Sequence, residues 1–228
     1  MSVLDRIRGG LVVSVQAAPG SPLRDPAHMA AMARAAEAGG AVAIRAAGAD
    51  DVAAIRAAVT LPVVGLHKRH GPDGVRITPT LDDARTVAAA GADVVAVDAT
   101  LRPRADGLAS GAFLVQLGRE LEVPVLADVD DLESGVAAAA SGAAAVATTL
   151  SGYTGRAVPD DPDVTLVAAL AEAVQVPVLA EGRYAGAGDV RAAFAAGAHA
   201  VVVGTAITDP MALTRRLAAA TPAGAAGA

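Results

Sequence analysis

"AAAGADVVAVDAT" (Ala88–Thr100) runs out of an alanine-rich helix, through a glycine, into a short β-branched strand that ends on an aspartate. Glycine just past a helix lets the chain turn off the helical axis, and a continuous apolar β-branched run reads as a strand buried on both faces. The phrase recurs in "AAEAGGAVAIRAAG" (Ala35–Gly48), "AAASGAAAVATTL" (Ala138–Leu150) and "AAFAAGAHAVVVGT" (Ala192–Thr205). A second phrase alternates with it: "TLPVVGLHK" (Thr60–Lys68), "EVPVLADVD" (Glu122–Asp130) and "QVPVLAEGR" (Gln175–Arg183), where proline opens a buried strand. With the opening "GLVVSVQ" (Gly10–Gln16) that makes eight strands. Helical patterns fill the intervals near 26–38, 49–58, 80–90, 110–120, 131–141, 163–174, 188–196 and 210–219.

Eight strands alternating with eight helices predict a single-domain α/β chain folded as a (β/α)8 TIM barrel over residues 1–220. The closing "TPAGAAGA" (Thr221–Ala228) reads as a disordered tail. A doubly wound dinucleotide fold fits less well, because the first strand ends on Gln16 and not in a glycine-rich turn.

Composition removes several functions. The net charge of -6 argues against nucleic-acid partners, which need a clustered basic face. Without cysteine there is no thiolate metal site and no cysteine nucleophile. The start, "MSVLDRIRGG", passes from charged residues straight towards a strand and lacks the apolar core of a signal peptide. No stretch has the roughly 18 uninterrupted apolar residues of a membrane span, so a cytoplasmic location is expected. The four histidines make no metal motif, and only His70 is placed to reach a mouth.

In a barrel of this kind the chemistry collects at the C-terminal ends of the strands. Those ends carry Gln16, Arg45, Lys68, Asp98, Asp128, Thr148 with Thr149, Glu181 with Arg183, and Gly204 with Thr205. The strand bodies are apolar, so polarity is gathered at one end. Charges buried together need partners, and this many point to a polar ligand. Lys68 is the one lysine of the chain, every other basic side chain at neutral pH being arginine. Arginine holds its proton too tightly to serve as a base, whereas a lysine lowered by burial, Arg45 and Arg69 can.

The motifs "GGLVVSVQA" (Gly9–Ala17), "GGAVAIRA" (Gly39–Ala46), "LPVVGLHKR" (Leu61–Arg69), "ITPTLDD" (Ile77–Asp83), "TTLSGYT" (Thr148–Thr154), "VPVLAEGR" (Val176–Arg183) and "AVVVGTAIT" (Ala200–Thr208) resemble the N-acetylmannosamine-6-phosphate 2-epimerase family. The resemblance runs in order from about residue 9 to 217. It implies an isomerase of amino-sugar metabolism, in bacterial sialic acid catabolism, that inverts C2 without metal or organic cofactor. It places the catalytic lysine on Lys68 and a functional glutamate on Glu181. Gln16, Arg45, Asp128, Ser151 and Arg183 are then expected to bind the sugar, and Gly186, Gly204 and Thr205 the phosphate. Glu181 could open the ring, move a proton at O1 or O5, or protonate the opposite face of C2. Asp98 either orients Lys68 or braces its strand end.

The family commonly has an arginine after "AIT", whereas this chain reads "AITDP" (Ala206–Pro210) and places Asp209 there. Asp209 also suits the N-cap of the last helix, with Pro210 at its first position. Either another cation, with Arg156 as candidate, replaces the arginine, or the substrate is the unphosphorylated sugar. A Schiff-base aldolase on Lys68 and a non-catalytic sugar-phosphate sensor are the remaining alternatives. A homodimer is expected, as the commonest soluble assembly.

Overall fold

The computed structural model describes residues 1–71, 74–155 and 158–222. Eight parallel strands close into a barrel: β1 (Leu11–Val15), β2 (Ala43–Ala47), β3 (Val63–Leu66), β6 (Val94–Asp98), β7 (Val125–Asp128), β8 (Ala145–Ala147), β9 (Val178–Glu181) and β10 (Ala200–Val203). Neighbours in sequence are neighbours in the barrel, and β1 pairs with β10 to close it. The outer helices are α2 (Pro26–Ala38), α3 (Ala49–Ala58), α4 (Leu81–Ala89), α5 (Ser110–Glu120), α6 (Leu132–Ala140), α7 (Val164–Ala173) and α8 (Ala187–Ala195), and α10 (Pro210–Ala219) ends the series. Each lies within about a residue of its sequence-predicted span. The starts are capped as the sequence dictates: Asp25, Thr80, Asp131, Asp163 and Asp209 each accept a hydrogen bond from the first turn. Gly91, after α4, has φ +101°, the left-handed exit that only glycine adopts freely.

Because side chains alternate along a strand, every strand serves two cores. Val13, Ile44, Val95 and Val201 face the helices, while Val12, Ala43, Val94, Leu126, Leu179 and Val202 fill the barrel. Small residues on several strands let the layers approach. A Cβ at Gly65 of β3 would fall 2.5 Å from Val87 of α4 and 2.7 Å from Ala92.

Three elements differ from the sequence expectation. The N-terminal segment does not pass straight into β1. Ser2 and Asp5 form a capping box around a one-turn helix, α1 (Val3–Arg6), and Ile7 is buried in the interior core. The Nε2 of His199 lies 2.7 Å from the Leu4 carbonyl oxygen and ties this turn to the start of β10. Burying the Ile7 side chain contributes roughly 1.5–3 kcal/mol. The second difference is an antiparallel hairpin after β3, β4 (Lys68–Gly71) with β5 (Gly74–Ile77), lying outside the barrel sheet. His70, expected in a loop, is an exposed residue of β4. The third is α9 (Thr205–Thr208), a single turn between β10 and α10. The predicted tail beyond Pro222 and Arg156 lie outside the described residues.

Candidate active site

The interior alternation that fills the barrel with Val12, Ala43, Leu126 and Leu179 places the next inward positions at Ser14 and Gln16, Arg45, Asp128 and Glu181. These converge. Arg45 is 1% exposed, and its Nη1 and Nη2 donate to Asp128 Oδ1 and Oδ2 at 3.0 and 2.6 Å. The same Nη1 reaches Glu181 Oε2 at 2.7 Å. Two acids from β7 and β9 therefore share one guanidinium from β2. Thr149 donates through its hydroxyl to Asp128 Oδ1, and Thr148 fixes the end of β9, accepting from the Glu181 N–H and donating to its carbonyl.

This arrangement sets the proton affinities. Burial disfavours the charge on Arg45, but Asp128 and Glu181 more than reverse that, so the guanidinium stays charged. Burial pushes the Glu181 carboxyl above the usual carboxylate range; Arg45 opposes and Asp128 reinforces the shift. Lys68 enters from β4, open to solvent on one side and crowded by protein on the others. That crowding holds its amine below the ordinary lysine range, Arg45 lowers it further, and Glu181 and Asp128 oppose. Arg69 is not among these influences, contrary to the sequence reading. It turns outward, 57% exposed, and grips Asp83 through Nε and Nη2 at 2.9 and 2.7 Å.

The hairpin that carries Lys68 is anchored at its base. Thr78 sits in the left-handed region at φ 45°, fully buried, with its hydroxyl donating to the Ala96 carbonyl and accepting from the His67 N–H. Asp98 takes Arg102 at 2.7 Å and the Thr100 N–H and hydroxyl, with Arg76 of β5 at 3.6 Å. Of the two roles open to it, Asp98 has the bracing one here, joining β5 to the chain after β6. Sequence reasoning missed Thr78, Arg76 and Arg102; "GPDG" (Gly71–Gly74) was the available signal of a hairpin turn.

The remaining predicted residues divide. Gln16 donates its amide N–H to Ser14 Oγ at 2.8 Å; among the described residues its buried Oε1 has no partner, and neither has the buried Arg45 Nε. Arg183 pairs with neither Glu181 nor an open subsite. Gly182 and Arg183 are both left-handed, at φ +106° and +65°, so the chain doubles back. Arg183 then donates to the Ser151 and Asp161 carbonyls and stacks on Tyr153 at 5.4 Å. Ser151 is buried, with its hydroxyl donating to Asp163 at 2.6 Å, so both residues brace the loop between β8 and α7. Of the phosphate candidates, the Gly186 N–H is held by Asp189 at 2.9 Å. Gly204 caps α9, with Thr205 as its exposed first residue. Asp209 accepts from the Ala212 N–H at 2.9 Å, the N-cap that its sequence position implies.

Fold and site define an enzyme of the (β/α)8-barrel class, with an amine and two carboxyls gathered at the C-terminal mouth. Residues 29–223 match the family described as "Putative N-acetylmannosamine-6-phosphate epimerase", and the chain belongs to that family of isomerases. A Cutibacterium acnes relative named "Putative N-acetylmannosamine-6-phosphate 2-epimerase" is 52% identical, covering 93% of each chain. One of the same name from Caldanaerobacter subterraneus is 45% identical, over 95% of this chain and 92% of the relative. The solved N-acetylmannosamine-6-phosphate 2-epimerase of Clostridium perfringens superposes with a TM-score of 0.89 at 35% identity, covering 95% of each chain. A thiamine phosphate pyrophosphorylase from Pyrococcus furiosus, at TM-score 0.61 and 16% identity, shares the fold.

Proposed function

We propose that this chain interconverts N-acetylmannosamine 6-phosphate and N-acetylglucosamine 6-phosphate by removing and returning the C2 proton with Lys68. The observation that carries the reading is the Arg45–Asp128–Glu181 network at the barrel mouth, with Lys68 on β4 near enough for all three charges to act on its amine. In the open-chain sugar the C2–H bond lies next to the C1 carbonyl. Lys68 takes that proton and the C–H electrons move into a planar enolate; the enolate turns its other face to the Lys68 ammonium, which gives a proton to C2 as the electrons return from O1 and the C1 carbonyl re-forms. A base serves best with its pKa near the working pH, which a crowded amine approaches and an exposed one does not. Glu181, entering as a carboxylate whose proton affinity burial has raised, accepts the proton of the sugar's O1 hydroxyl and returns it to the developing enolate oxygen. The unpartnered Gln16 Oε1 suits the acetamido N–H, and Asp128 faces the sugar hydroxyls.

The test is proton NMR in deuterated water. Wild-type protein is expected to place deuterium at C2 and Lys68→Ala is not; exchange retained by a folded Lys68→Ala protein overturns the reading. The unphosphorylated sugar is the second reading, favoured by the engagement of Arg183, the Gly186 N–H and Asp209 inside the protein. N-acetylmannosamine and its 6-phosphate, compared in the same assay, decide between them.

Two copies are further inferred to pair. No residue of α10 is buried, and Leu217 is 66% exposed. An apolar groove of about 270 Å³, lined by Leu11, Val13, Met32, Ala36 and Ile207, lies open on the same barrel. Light scattering is expected to give a dimer mass that Leu217→Glu reduces to a monomer; a wild-type monomer overturns the pairing. Among the described residues no helix is long and apolar enough to cross a membrane.

A further inference from the structure

Thr149 lies two residues beyond Ala147, an interior residue of β8, so the alternation turns its side chain into the mouth. Its hydroxyl donates to Asp128 Oδ1, the same oxygen that Arg45 Nη1 approaches at 3.0 Å. Glu181 lies across the same Arg45 Nη1, at 2.7 Å, and the hydroxyl favours its charged form. A hydroxyl has one proton to give, and here two carboxyls compete for it.

The charge count makes that competition matter. Arg45 is one cation set against two buried acids, and Lys68 adds a second cation only while protonated. Once Lys68 is neutral and ready to act as base, one negative charge among Asp128 and Glu181 has no cation opposite it. Donation from a neutral group is then what offsets the cost of keeping that charge out of water. The charged groups acting on Glu181 are Arg45 from β2, Lys68 from β4 and Asp128 from β7. Asp98 of β6 is held separately by Arg76 and Arg102.

We propose that Thr149 is a positioning residue, whose hydroxyl fixes the Asp128 carboxylate, and with it Arg45 and Glu181, for the reaction. This rests on the epimerase reading for its activity readout, and the experiment separates the two. In Thr149→Val the Glu181 carboxyl keeps its proton to higher pH. The limb of the kcat/KM profile that disappears in Glu181→Gln is expected to move up by about one pH unit, the worth of one hydrogen bond to a charged group. At a fixed pH on that limb the rate falls roughly tenfold. Thr149→Ser, which keeps the hydroxyl, is expected to restore the wild-type limb.

An independent readout is the pH titration of the Glu181 carboxyl by carbon-13 NMR, followed in wild type and Thr149→Val. It reports the shift even if the protein fails to epimerise the sugar, so failure of the activity and failure of the Thr149 role are distinguishable. Should Thr149→Val not fold, Thr149→Ala supplies the same comparison. A limb and titration unmoved in the hydroxyl-free variant, or a Thr149→Ser shifted as far as Thr149→Val, overturns the proposal.

Discussion

Arg45 and Asp128 meet side-on inside the barrel, two nitrogens on two oxygens at 3.0 and 2.6 Å, with the aspartate wholly buried and the arginine 1% exposed. Such a pair is costly to break on one side, because the survivor is a buried charge with no partner. Arg45→Met is therefore expected to lower stability by about 3–5 kcal/mol near neutrality. It leaves both carboxyls without their cation, and Glu181, already raised by burial, then rises further above its value in the unfolded chain. The folded state binds protons more tightly in that window, so stability returns as pH falls through the raised value. Denaturant titrations near neutrality and at mildly acidic pH measure both parts; a variant equally unstable at both contradicts the account.

Gly182 carries φ +106° immediately after Glu181, and the space around it is ordinary: an added Cβ would meet the Thr148 and Thr149 carbonyls at 3.7 Å. The expense of Gly182→Ala is thus conformational, about 1–2 kcal/mol for a left-handed alanine. Relaxing that strain tilts Glu181 and releases Arg183 from the Ser151 carbonyl. Lower kcat is expected together with a lower Tm, and a variant with unchanged kcat would place the turn outside the chemistry.

Arg69 neighbours Lys68 in sequence but faces Asp83. Arg69→Gln is expected to leave the pH dependence of the lysine-dependent step in place and to change Tm little, as surface pairs do. A shifted limb would restore Arg69 to the role that the sequence implies.

Asp209 allows stability and charge to be separated. Asn caps a helix as well as Asp, so Asp209→Asn is expected to keep Tm, while Asp209→Ala loses about 1 kcal/mol. With a phosphate dianion at this end of the mouth, Asp209→Asn is expected to lower KM for the 6-phosphate and leave KM for the unphosphorylated sugar unchanged. Equal KM values for wild type and Asp209→Asn with the 6-phosphate would put the phosphate elsewhere.

The eight-strand plan was legible because its signals are local: glycine after helix, proline before strand, β-branched runs between. Gln16, Arg45, Asp128 and Glu181 were legible for the same reason, as polar residues at the C-terminal ends of apolar strands. Their partnerships were not. Arg45 lies 83 residues from Asp128 and 136 from Glu181, and no short-range pattern records which acid it holds. The hairpin escaped because β4 and β5 are only four residues each and β4 is polar and wholly exposed, so neither has the continuous apolar run that marks a barrel strand. Arg69 was misread because its neighbour in sequence is not its neighbour in space once β4 leaves the barrel.

That departure separates two durabilities within one molecule. The carboxyls and their arginine stand on barrel strands and persist as long as the barrel does, whereas the amine arrives on a ribbon whose first strand has no buried residue. Segments with little buried surface open locally at a fraction of the free energy of global unfolding. Warming is therefore expected to disengage the base while the barrel is still intact. Turnover will fade at temperatures where circular dichroism records no change, and heat tolerance engineered into the barrel alone will leave the active lifetime where it was.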